Sequence, residues 1–196
     1  MSHFSLYTVT APSVEPISLA DAKLHLRVDV DTDDDLINAI IKAARQRLEI
    51  DARVALITQT LEMRLDCFPV DGDDILLLRP PLQSVTSIKY VDTDGVEQTW
   101  SSDDYAADIY STPARIRPAY GEVYPTARSV NNAVTIRYTA GYGDAATAVP
   151  DDLLQALKLL IGHFYENRED VITGTIASKL PNAYKWLVAP HQGFRF

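Results

Sequence analysis

ISLADAKLHLRVDVDTDDDLINAIIKAARQRLEIDAR, residues 17–53, decides the reading of this chain. It describes two helices joined by an acidic elbow. Ser18 is a good N-cap, Asp21 three residues on closes a capping box, and Ile17 is placed as a hydrophobic staple. The first helix is short, with Leu19, Ala22, Leu24 and Leu26 on its apolar side, and ends near Arg27. Thr32 caps the second helix, whose first turn holds Asp33, Asp34 and Asp35, where the positive end of the helix dipole favours carboxylates. Leu36, Ile37, Ile40, Ile41, Ala44 and Leu48 recur at i, i+3, i+4 spacing as one broad apolar stripe. Arg45, Arg47 and Arg53 sit toward the other end, where cations are favoured. The hairpin is a packing unit, with no chemistry of its own.

A second helical signal lies far downstream in PDDLLQALKLLIGHFYENRE, residues 150–169. Pro150 opens it, Asp151 and Asp152 occupy its first turn, and Leu153, Leu154, Leu157, Leu160, Ile161, Phe164 and Tyr165 form a wide stripe. That width predicts burial against the first hairpin and against a neighbouring subunit, with Leu36, Ile40, Leu157 and Phe164 as the packing residues. Residues 169–180 read as a loop. In LPNAYKWLVAP, residues 180–190, Pro181 starts a last short helix that Pro190 stops. Trp186, Leu187, Phe194 and Phe196 are large apolar side chains near a chain end, suited to anchoring in a partner's groove. For Trp186 and Leu187 the competing reading is completion of the subunit's own core.

Between the helical ends the periodicity becomes two. In ITQTLEMRLDC, residues 57–67, Leu61, Met63, Leu65 and Cys67 share one face and Thr60, Glu62, Arg64 and Asp66 the other, as in a half-buried strand. Ile75–Leu78 is a short buried strand ended by Pro80 and Pro81. Val85, Ile88, Tyr90 and Val91 form another, turned by Asp94-Gly95 into Val96–Trp100. Residues 105–131 suggest short strands broken by prolines, and Val134, Ile136 and Tyr138 face one way in a last strand. The fold class expected is therefore α+β: a helical bundle from the N- and C-terminal segments with an inserted antiparallel β module. The divisions are 1–56, 57–143 and 144–196, the first and last packing as one helical domain.

The 196 residues carry a net charge of −9, unevenly placed. Residues 1–104 hold nine Lys and Arg against nineteen Asp and Glu, whereas 105–196 are close to balance. Such a chain lacks the clustered cations that grip phosphate. Its acidity either keeps a soluble protein dispersed or suits a surface that DNA slides past without sticking. Cys67 is the one cysteine, so neither an intramolecular disulfide nor a Cys-based zinc site is possible. MSHFSLYTVT has neither a basic nor an apolar signal region, and no run approaches the roughly 20 apolar residues of a membrane span.

Two motifs invite a chemical reading. Asp29, Asp31, Asp33 and Asp35 imitate a calcium loop, but Asp34 stands where that loop needs Gly and Ile40 where it needs a bidentate Glu. Gly141-Tyr142-Gly143-Asp144-Ala145-Ala146 fits G-x-G-x-x-A. Against a dinucleotide site stand the late, negatively charged helix start and the antiparallel character of the preceding strands. His3, His25, His163 and His191 are scattered, and no nucleophile or metalloprotease motif is present. No catalytic residue, cofactor or metal is expected.

Taken together, residues 17–45, the helix opening at Pro150 and the closing LPNAYKWLVAP resemble the head–tail connector (adaptor) proteins of long-tailed bacteriophages and prophages. The likeness covers roughly residues 15–55 and 148–190. It implies a structural, non-enzymatic virion protein, assembled in the bacterial host cytoplasm. Copies of it, twelve by family likeness, would form a ring on the portal and join the head to a tail-side neck protein. DNA would pass through the lumen without specific binding, and no membrane would be involved. The alternatives are a small nucleotide- or metal-binding enzyme, or another neck protein such as a stopper or tail terminator.

Overall fold

A computed structural model of the chain describes residues 4–70, 72–167 and 182–192. They divide into two compact units, one of residues 1–13 and 58–142, the other of 14–57 and 143–196. Among the described residues the fold is mixed, with four α-helices and two antiparallel sheets.

The sheet unit holds eight strands: β1 (Phe4–Thr10), β2 (Gln59–Leu65), β3 (Ile75–Leu77), β4 (Leu82–Val91), β5 (Glu97–Trp100), β6 (Tyr105–Asp108), β7 (Ala114–Pro118) and β8 (Val134–Ala140). The larger sheet runs β1-β2-β8-β4-β5 and the smaller β3-β7-β6. Leu61, Met63 and Leu65 of β2 lie opposite Tyr138, Ile136 and Val134 of β8, all six buried, as their period-two spacing predicts. The sheets are joined by aromatic side chains. Trp100 of β5 stands 5.1 Å from Tyr105 of β6, and Phe68 stacks on Tyr124 at 5.4 Å. Burial raises the Tyr124 hydroxyl to about 12, and it donates to the carbonyls of Asp73 and Ile116.

Two expectations are corrected here. Residues 4–10, assigned above to the helical hairpin, form edge strand β1, paired with β2 from Phe4↔Leu65 to Thr10↔Thr60. Cys67, placed on the buried face, is exposed, because β2 ends at Leu65 and Phe68 fills the core instead.

The helical unit contains α1 (Leu19–Leu26), α2 (Asp34–Ala52), α3 (Asp151–Glu166) and α4 (Asn182–Val188). The Ser18 hydroxyl accepts the Asp21 amide at 3.1 Å, the N-cap half of the expected capping box, and donates to the Asp21 carboxylate at 2.6 Å. Arg27 and Arg53 end α1 and α2 in the left-handed conformation. The N-cap of α2 is Asp33 rather than Thr32, one residue later than expected. Ile37, Ile41, Ala44 and Leu48 of α2 are buried with Leu153, Leu157, Leu160 and Ile161 of α3, the two stripes forming the centre of the unit.

One polar cluster is largely buried in this unit, with Glu15 at its partly exposed edge. The Arg45 guanidinium donates to Glu15 at 2.7 Å and to Glu49 at 3.0 Å, and Glu49 also accepts the Leu56 amide at 3.1 Å. A buried charge without such partners would be strongly destabilising. The cluster therefore fixes the chain on both sides of α2.

Candidate assembly surfaces

The aspartate elbow between α1 and α2 is organised by a cation from the chain itself. Lys23 Nζ lies 2.6 Å from Asp31 and 2.7 Å from Asp34, and these hydrogen bonds raise its pKa. Asp33 accepts the Tyr165 hydroxyl at 2.6 Å, tying the elbow to α3. Among the described residues no group of acids, histidines and cysteines is arranged to hold a metal. The ammonium stands where a bound cation would compete for the same oxygens.

The glycine turn follows β8, which is antiparallel to both of its neighbours, β2 and β4. A short 3-10 turn at Ala146–Ala148 separates it from α3, whose first turn carries Asp151 and Asp152. That order lacks the parallel strand–helix–strand unit of a dinucleotide site.

At the other end of the helical unit, α4 and the turn that follows it are held by polar contacts. The Tyr184 hydroxyl donates to Asp51 at 2.8 Å, the Gln192 amide donates to the Asp51 carbonyl at 3.1 Å, and His191 Nε2 lies 2.6 Å from Asp152. Burial and the adjoining Asp51 carboxylate push the Tyr184 hydroxyl well above its ordinary range. With Tyr184 and Val188 turned inward, Trp186 points outward and is 78% exposed, and Leu187 is partly exposed. Phe194 and Phe196 lie outside the described residues.

The four residues expected to pack between subunits divide evenly. Ile40 and Leu157 are buried within the unit itself, whereas Leu36 is exposed and Phe164 half-buried beside His163. Sequence reasoning missed other exposed apolar side chains of the helical unit: Leu24 of α1 at 79%, Val30 of the elbow at 58% and Ile50 of α2 at 59%. Leu24 was assigned to the inward side of α1, and only Ala22 of that helix is buried. Its eight residues offered too short a pattern to place the stripe.

Comparison with known proteins gives a consistent result. Residues 16–91 match the family described as phage gp6-like head-tail connector protein. No curated protein matches the chain. Seven chains of solved structures do. One, from the virion of a native gene transfer agent (GTA) particle, is 26% identical with a TM-score of 0.80, over 97% of this chain and 96% of that one. Another, from the neck of an empty GTA particle computed with C6 symmetry, is 27% identical with a TM-score of 0.80, over 98% and 97%. A third, from the neck of a native GTA particle computed with C12 symmetry, is 27% identical with a TM-score of 0.78, over 98% and 97%. Residues 16–91 thus carry the pattern of the phage gp6-like head–tail connector family, and nearly the whole chain is built like a neck protein of a phage-like particle.

Proposed function

We propose that this protein is a structural head–tail connector, or adaptor, of a tailed bacteriophage or prophage. In this reading copies of the chain close into a ring on the portal vertex and join the DNA-filled head to the tail-side neck protein. The observation that carries the reading is the end-to-end match, in both directions, with chains from a particle neck computed with C12 and C6 symmetry. Its role is structural rather than enzymatic.

The number of copies is twelve, by analogy with the C12 neck. A ring requires two different surfaces on each subunit, related by a rotation that closes. The portal is engaged through the outward Trp186 and Leu187 together with Phe194 and Phe196, large apolar groups of the kind that dominate binding energy. In this reading Leu36 and Phe164 pack against neighbouring subunits. The net charge of −9 suits a lumen that DNA crosses without adhering. Assembly takes place in the bacterial host cytoplasm, and the protein ends in the virion neck.

The test is light scattering on the portal mixed with this protein. A gain in complex mass equal to a whole ring of subunits supports the reading, and a portal of unchanged mass removes it.

A further inference from the structure

Among the described residues the two sheets have four edge strands, β1, β5, β3 and β6, and the last three are short or guarded. β3 has three residues, β5 has four and carries Glu97, and β6 has four and ends at Asp108. Shortness and charge of that kind keep an edge from pairing with another chain. β1 has neither. Its seven residues, FSLYTVT, hold no charge and no proline, and among the described residues they pair with β2 alone. The register shifts only between Thr8 and Thr10, so residues 4–8 keep an open row of backbone N–H and C=O groups. Phe4 and Tyr7 on this strand are 60% and 51% exposed. Such an edge is satisfied by another extended, uncharged stretch of chain.

One stretch of the sequence has that character. Residues 168–181, which lie outside the described residues, join α3 to α4 and contain VITGTI at 171–176. All of that run but Gly174 is β-branched, and none of it is charged. Arg168, Glu169 and Asp170 before it and Lys179 after it flank it with charge, as sequences do around a run prone to pair as a strand. The whole segment spans at most about 50 Å, so the run can reach about 20 Å from the helical unit and still return to α4.

We infer that residues 171–176 of one copy add as a strand to the open edge of β1 in the next copy. Length, lack of charge and β-branched composition name this run as the occupant. The run belongs to the helical unit and the edge to the sheet unit. Each protomer therefore gives with one surface and receives with a different one, as a head-to-tail ring requires. The inference rests on the connector reading above and deepens it by assigning one contact between copies.

Cysteine scanning tests it, with C67S made first because Cys67 is exposed. Y7C is combined with a cysteine at each position from 171 to 176 in turn, and the protein is oxidised on its portal. Paired strands put successive side chains on opposite faces, so a ladder of covalent multimers should form at alternate positions and not at those between. Y7C alone should give no ladder. Disulfides closed within single chains, dimers from Y7C alone, or a ladder of equal yield at every position would each overturn the inference. Rings seen by electron microscopy on the portal but giving no ladder at any position would overturn it and leave the connector reading intact. Hydrogen exchange on the unsubstituted protein covers the case of a Y7C variant that fails to fold. Amides of residues 4–8 that face away from β2 should exchange at least about tenfold more slowly in rings on the portal than in the free protein. Equal rates would overturn the strand addition. A wild-type protein that adds no ring to the portal would refute the connector reading and the inference with it.

Discussion

The Tyr184 hydroxyl is hydrogen-bonded to the Asp51 carboxylate at 2.8 Å, across 133 residues of sequence. This bond joins the helix that presents Trp186 to the C-terminal end of α2, and Arg47 approaches the same carboxylate at 2.9 Å. The position of the outward tryptophan is thus fixed by the long helix. Tyr184→Phe should lower stability by about 1.5–3 kcal/mol, the net worth of a hydrogen bond to a charged group. Tyr184→Ala, which also empties the buried ring site, should lower it by about 3–5 kcal/mol. Urea denaturation of the two variants measures the difference.

Trp186 itself should behave in the opposite manner. Because it is 78% exposed, Trp186→Ala should change stability by less than about 0.5 kcal/mol while weakening portal attachment. Deleting residues 193–196 should act the same way. The cut leaves His191 and Gln192, and so their contacts with Asp152 and Asp51, in place. Thermal melting and portal co-sedimentation, run on the same preparations, separate the two effects.

The largely buried cluster in the helical unit predicts a large loss from one substitution. Glu49→Ala leaves Arg45 with Glu15 alone and orphans the Leu56 amide. It should lower stability by about 3–5 kcal/mol, as expected when one partner of a buried charge pair is removed. Glu49→Gln, which still offers an oxygen to that amide, should lower it less. Calorimetric melting gives the ranking.

Acid should weaken the smaller sheet in a defined window. The Ser111 hydroxyl, the Arg115 guanidinium and the Tyr110 amide hold the Asp108 carboxyl down to about 2 from an ordinary 3.8. A depressed carboxylate stabilises the fold above its unfolded value, and that contribution disappears as pH falls toward the folded one. Wild-type stability should therefore decline between about pH 4 and pH 2, and Asp108→Asn should remove part of that dependence. Denaturant midpoints taken across this range provide the check.

How much of this was legible depends on the local pattern. Helices α2 and α3 and strands β2 and β8 each bury an apolar stripe, so Ile37, Ile41, Leu157 and Leu160, or Leu61, Met63, Val134 and Ile136, reveal the period by themselves, although Glu62 on the other face of β2 is buried as well. Strand β1 was not legible. As an edge strand it leaves Phe4, Tyr7 and Val9 exposed, and FSLYTVT has no charged residue to mark a wet face. Leu36 matched the spacing of the α2 stripe yet lies at its rim, because spacing does not fix how wide the covered arc is. The ion pairs from Arg117 and Arg115 to Asp74 cross 43 and 41 residues and have no local signature. The exposed apolar side chains Leu24 and Ile50 were least visible, since exposure is a property of the folded unit.

The central claim is that many copies of this chain stand as a closed ring between portal and tail. Electron microscopy of the protein mixed with its portal tests it most directly. The account predicts one added ring, coaxial with the portal, into which copies of the sheet and helical units fit. A portal that gains no coaxial density, or a particle neck from which this polypeptide is missing, would contradict it.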